Sequence, residues 1–205
     1  MKRLEQVPPL GAEGTSRNNL YPIFLRMHKI QTLIVGGGNV ALEKLTFLLK
    51  SSPNANVEML APFFRDEVKE LAKQFDIRLI DMSYEISSLC DKDLVIAATD
   101  NLEVNKQIYH DAKQRHLLVN VADTPEFCDF YLGGIVTKGN VKIAISTNGK
   151  SPTTAKRLRQ FFEEVIPDDV NILVENLNQY RKTIKGNFEQ KVSALNKITE
   201  TLISK

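Results

Sequence analysis

The chain has 205 residues, 42% of them hydrophobic and 25% charged, a soluble globular composition with material for a sizeable core. Lys and Arg number 27 against 25 Asp and Glu, so the net charge of +2 leaves no electrostatic footprint for nucleic acid. No apolar run approaches the roughly 18 residues of a membrane-spanning helix, and Cys90 and Cys128, without metal-ligand spacing, suit a reducing, cytoplasmic setting with no structural disulfide.

The opening, residues 1–18, is rich in Pro, Gly, Ser and Asn, lacks the apolar core of a secretory signal, and reads as a disordered tail. From Leu20 onward the pattern alternates. "TLIVG" (32–36) predicts a strand, and "NVALEKLTFLLKS" (39–51) a helix with Val40, Leu45, Leu48 and Leu49 near one face. "ANVEMLA" (55–61) predicts a second strand, and "RDEVKELAKQF" (65–75) a second helix with Val68, Leu71 and Phe75 inward. "IRLID" (77–81) and "DLVIAAT" (93–99) follow as strands, the latter apolar enough to be covered on both faces. "NLEVNKQIYHDAKQR" (101–115) is a helix that Asp100 is placed to cap, and "LLVNVA" (117–122) a fifth strand. Strands and helices alternating at these lengths mean βαβ units and a parallel sheet.

There the alternation stops. "FCDFYLGGIVTKGNVKIAIST" (127–147) reads as two strands joined at Lys138-Gly139-Asn140, a hairpin signal. "SPTTAKRLRQFFEEVI" (151–166) opens with Ser at an N-cap and Pro at the first helical position, and the remainder is helical in its apolar spacing. The predicted architecture is α/β: a Rossmann dinucleotide-binding domain over 19–123, a β dimerisation region over 124–150, and a small helical C-terminal domain over 151–205.

Gly36, Gly38 and Ala41 fit the G-x-G-x-x-G/A fingerprint between a strand and a helix. The first glycine makes the turn, the second lets a pyrophosphate approach the backbone, and the small third residue lets helix and strand pack. The helix start at Asn39 and Val40 aims free N–H groups and a positive dipole end at the phosphates. The acid that should grip a ribose 2′-hydroxyl is missing from the end of the second strand. Glu58 has the spacing but reads as a surface strand residue, and Arg65 could meet a 2′-phosphate, so these residues leave NAD and NADP both open. Asp123 ends the fifth strand, at the mouth where open α/β sheets bind ligands. From the residues alone, a catalytic carboxylate and a turn-capping Asp before Thr124-Pro125 are equally good readings. His28, His110 and His116 are scattered without ligand spacing, so no metal site is expected.

Four stretches together, "YPIFLRMHKIQTLIVGGGNVALEKLTFLL", "DLVIAATDNLEVN", "LVNVADTPEFCDF" and "VKIAISTNGKSPTTAKRLRQ", resemble the precorrin-2 dehydrogenases of the siroheme-synthase family, from about Leu20 to Val165. Many of that family also act as sirohydrochlorin ferrochelatases, and this chain resembles the stand-alone form. The resemblance implies hydride transfer from precorrin-2 to NAD+, giving sirohydrochlorin, with ferrous iron as a further substrate where siroheme is made. It also implies a homodimer with exchanged β strands, with no nucleic-acid or membrane partner.

By the same resemblance Asp123 matches the family's catalytic aspartate, and Thr99 and Asn120 border the cofactor. The loop Thr147, Asn148, Gly149, Lys150 and Ser151, ahead of a helix N-terminus, would meet the substrate's carboxylates, joined by Lys156 and Arg159 on one helical face. One departure is Gly133-Gly134, where the family usually places a proline after "CDF". A nucleotide-sensing Rossmann module without chemistry is the rival reading; it explains Gly36, Gly38 and Ala41 but leaves Asp123 and the 147–151 loop without a role.

Overall fold

The computed structural model describes residues 18–200, so all but the last residue of the predicted tail lies outside the described residues. Five short strands form one parallel sheet: β1 (Thr32–Val35), β2 (Val57–Ala61), β3 (Arg78–Asp81), β4 (Leu94–Ala97) and β5 (Leu118–Val121). Their order is β3-β2-β1-β4-β5, so the chain reverses its direction of travel between β1 and β4. That reversal opens the crevice in which doubly wound sheets bind ligands, beyond the carboxyl ends of the strands.

Alternation along each strand divides the core in two. Ile34, Met59 and Ile96 pack against Ala41, Leu45 and Leu49 of helix α1 (Asn39–Ser51) and Val68 of α2 (Asp66–Gln74). Leu33, Val35, Val95, Val119 and Val121 face the other way, onto Ile108 and Ala112 of α3 (Leu102–Gln114). β1 and β4 are buried throughout, as their unbroken apolar sequences require. Each fully buried Leu or Ile here contributes about 1.5–3 kcal/mol.

Three details differ from the periodicity. On α1 the fully buried residues are Ala41, Leu45 and Leu49, with Val40 and Leu48 flanking the stripe. On α2 they are Val68 and Ala72, while Leu71 and Phe75 cover the margin. The cap of α3 is Asn101, not Asp100: its side-chain oxygen accepts from the N–H groups of Glu103 (3.0 Å) and Val104 (3.3 Å).

After the sheet come an antiparallel hairpin, β6 (Gly134–Lys138) with β7 (Val141–Ile145), and helices α4 (Pro152–Val165), α5 (Val170–Thr183) and α6 (Phe188–Thr199). A two-residue loop joins the strands, with Gly139 at φ +57° in its first position, where a side chain would be strained. Asn171 of α5 holds that loop, its side-chain oxygen accepting from the backbone N–H and the amide of Asn140, each at 2.8 Å. Lys142 of β7 ties the hairpin to the first unit by donating to the carbonyl and hydroxyl of Ser51, at the C-terminus of α1, where a cation complements the dipole.

Candidate active site at the carboxyl edge of the sheet

The glycine turn after β1 can be read residue by residue. A Cβ on Gly36, whose φ is +134°, would stand 2.3 Å from the carbonyl oxygen of Ala98; one on Gly37 would stand 1.9 Å from that of Phe63. Protein packing alone therefore requires these two glycines. Gly38 is different, because a Cβ there would meet nothing within 4 Å and its φ of −91° suits any residue. The fold has no need of a glycine at 38, and the backbone there is open to solvent. Ala41 is fully buried, its Cβ 3.3 Å from where one on Gly36 would lie, which is why that position must be small.

The start of α1 supplies a second sign. Gly38 is its N-cap and offers no side-chain hydrogen bond, so the N–H groups of Asn39, Val40 and Ala41 have no capping acceptor. Asn101, Ser151 and Asn187 cap α3, α4 and α6, whereas α2 and α5, like α1, begin without a side-chain cap, and of these α1 alone opens from the glycine turn at the carboxyl end of β1. An exposed, uncapped helix start beside a bare Cα fits a pyrophosphate.

Thr99 and Asn120 stand at the ends of the neighbouring strands, and both are engaged within the protein. The Thr99 hydroxyl donates to the side-chain oxygen of Asn105 at 2.7 Å, and the Asn105 amide returns a bond to the Thr99 carbonyl at 3.1 Å. Asn105 is 5% exposed and sits on the apolar stripe with Ile108 and Ala112. Sequence reading missed it, although a polar residue on a buried stripe signals a partner. The Asn120 amide donates to the Phe130 carbonyl at 2.7 Å, which pins the returning loop over β5. Cys128 donates its thiol to the Val121 carbonyl at 3.3 Å, and burial pushes its pKa up.

Asp123 lies just past β5 with φ +58°. Asp76, Asp91 and His116 share that backbone region but close the turns into β3, β4 and β5, at the opposite edge of the sheet. Among the described residues the Asp123 carboxylate makes no hydrogen bond and no ion pair, and the short 3-10 turn Pro125–Phe127 has no side-chain cap. The capping role therefore has no bond to support it. Two strand spacings, roughly 10 Å, separate the ends of β1 and β5, so the glycine turn and Asp123 border one crevice.

At the amino-terminal end of β2, away from that crevice, Glu58 is half-buried rather than a plain surface residue. It accepts from Lys92 at 2.7 Å and from Arg78 at 3.2 Å, and the Lys92 bond above all holds its carboxyl below the usual range. Arg65 donates its backbone N–H to the Gly37 carbonyl at 3.0 Å, while its guanidinium grips Glu67.

The loop 147–151 belongs to the hairpin. Asn148 (φ +56°) and Gly149 (φ +74°) form a tight turn closed by the Lys150 N–H on the Thr147 carbonyl at 3.1 Å. The Thr147 hydroxyl bonds Ser151, and the Ser151 hydroxyl caps α4 through the Thr154 N–H at 3.2 Å. Lys156 is exposed on α4, whereas Arg159 is half-buried over Gly134 and bonded to Glu163. The candidate residues thus form two groups: Gly36 to Ala41, Thr99, Asn120 and Asp123 on the sheet edge, and Thr147 to Ser151, Lys156 and Arg159 on the hairpin and α4.

A parallel sheet of this order, with a bare and uncapped glycine turn at its point of reversal, defines a Rossmann-type fold, the class that binds dinucleotides. A family described as putative NAD(P)-binding matches residues 23–134, and one described as the sirohaem biosynthesis protein central region matches 138–164. The chain belongs to the first of these families, whose model spans more than half of it, and is similar to siroheme synthases. It is 38% identical over 168 residues to a siroheme synthase of Pseudoalteromonas atlantica and 40% identical over 164 residues to one of Nitrosococcus oceani. Those alignments take in 82% and 80% of this chain but 36% and 35% of the relatives, so the chain spans about a third of their length. The solved structure of SirC, a precorrin-2 dehydrogenase, superposes with a TM-score of 0.70 over 87% of this chain and 89% of its own, at 22% identity, which establishes the common fold.

Proposed function

We propose that the protein catalyses NAD+-dependent dehydrogenation of precorrin-2 to sirohydrochlorin, as a cytoplasmic homodimer, and that the same site serves ferrous iron insertion where siroheme is the product. The observation that carries this reading is Asp123: a carboxylate in left-handed backbone, without a partner among the described residues, on the crevice that holds the phosphate turn. Strained residues without a structural use concentrate at functional sites. Similarity to siroheme synthases and the printed name of the SirC structure support the choice of substrate.

NAD+, when bound, supplies the hydride acceptor. Gly38 and the first N–H groups of α1 would hold its pyrophosphate, and Ala41 keeps that turn tight against β1. Thr99 and Asn120 line the crevice beside it, each oriented by a bond to the protein. Asp123 takes the proton that precorrin-2 sheds as hydride departs, so the balance is precorrin-2 and NAD+ to sirohydrochlorin, NADH and one proton. In metallation the same carboxylate accepts protons from the pyrrole nitrogens as iron enters. The 147–151 loop, Lys156 and Arg159 meet carboxylates at the substrate's rim.

Asp123→Asn tests this. It keeps the side chain's size and removes its basicity, so dehydrogenation should fall about 100- to 10,000-fold, the usual worth of a general base, while NAD+ affinity and thermal stability stay as in the wild type. Wild-type turnover in the folded variant would put the base elsewhere, and an unfolded variant would favour a structural role.

A further inference from the structure

Selectivity for NAD+ usually comes from an acid at the end of the second strand that accepts from the ribose 2′-hydroxyl, and selectivity for NADP+ from a nearby arginine. Here β2 ends in Ala61 and continues through Pro62, Phe63 and Phe64, with no acid until Asp66. Glu58 is occupied by Lys92 and Arg78. The turn does carry an arginine in the right place, since Arg65 is bonded through its backbone to Gly37, one residue from the phosphate position. Left alone, such a guanidinium would welcome a 2′-phosphate.

It is not left alone. Arg65 Nε and Nη2 donate to the two carboxylate oxygens of Glu67 at 3.2 and 2.8 Å, a fork that takes up the guanidinium edge suited to phosphate. The next cation, Lys69, is paired with Asp66 at 3.0 Å. Two cations and two acids cancel within five residues, and both acids lie in the first turn of α2. The Arg65 bond lowers the Glu67 pKa to about 2, so the pair stays charged at any physiological pH.

Resting on the dinucleotide reading above, we propose that Glu67 makes the site selective for NAD+ by withholding Arg65 from a 2′-phosphate. Discrimination is then achieved by a neutralised cation instead of a ribose-gripping acid. A 2′-phosphate, carrying between one and two negative charges, would have to displace Glu67 from the fork and approach Asp66 as well. NAD+ asks for neither.

Calorimetric titration with NAD+ and NADP+ tests this on the wild type, Glu67→Gln and the Arg65→Ala/Glu67→Gln double variant, each checked for folding by circular dichroism and thermal unfolding. The wild type should bind NAD+ at least about tenfold more tightly. Glu67→Gln should narrow that preference by about tenfold through tighter NADP+ binding, and the double variant should lose the gain, because Arg65 is its source. An unchanged preference in Glu67→Gln overturns the proposal, including the case where only the melting temperature falls because a charge at the start of α2 was lost. A gain that persists without Arg65 overturns it equally. A wild type that binds neither dinucleotide would sink the cofactor reading itself, and this inference with it.

Discussion

Three consecutive glycines look alike in a sequence, and the structure separates them. Gly36 and Gly37 are held by the carbonyls of Ala98 and Phe63, whereas Gly38 faces open space. Opposite outcomes follow for neighbouring positions. Gly37→Ala forces a methyl against a backbone oxygen and should cost roughly 1–3 kcal/mol of stability, as overpacking does, lowering the melting temperature. Gly38→Val should leave the melting temperature near the wild-type value and abolish NAD+ binding by calorimetry. If Gly38→Val binds NAD+ normally, the phosphate turn is misassigned. The glycine turn was legible because a strand-to-helix turn pressed against two backbone carbonyls dictates residue type. Asn105 was not, since its role depends on Thr99 arriving from another element, and neither was the Arg65–Glu67 fork. Asp123 was legible by position and family likeness, while its freedom from a capping bond needed coordinates.

At the scale of elements, hydrophobic period gave β1 to β5 and α1 to α3 nearly to their ends, because strands buried on both faces and amphipathic helices leave strong patterns. The ties between elements were hidden. Lys142 reaching Ser51, Asn171 holding Asn140 and Glu58 bridging Lys92 and Arg78 all join residues distant in sequence, and nothing local marks them. Glu58 gives a pH test. Its folded pKa lies below the ordinary value of 4.5, so its contribution to stability is complete above that value and is lost as pH falls through the folded pKa. Glu58→Gln should flatten the acid side of the melting-temperature profile between pH 7 and about 3, in proportion to that single carboxylate. A profile identical to the wild type's would mean that the two ion pairs do not hold in solution.

At the scale of the whole molecule, the two ends of the chain differ in how much they bury. The sheet and its three helices enclose two apolar clusters, but none of α4, α5 or α6 has a buried residue, and Phe161, Val165, Ile172 and Ile198 are each half exposed or more. Apolar helix faces left open in this way need a partner, and a two-fold copy of the same chain is the commonest one. Light scattering at micromolar concentration should report a dimer; a monomer would remove the assembly from the proposal. The central claim is the chemistry, and the most direct measurement follows absorbance after purified wild-type protein is mixed with precorrin-2 and NAD+. NADH and the spectrum of sirohydrochlorin should rise together, one for one, at a rate set by enzyme concentration. If precorrin-2 persists and no NADH forms while the folded protein still binds NAD+, the chain is a nucleotide-binding module and not a dehydrogenase.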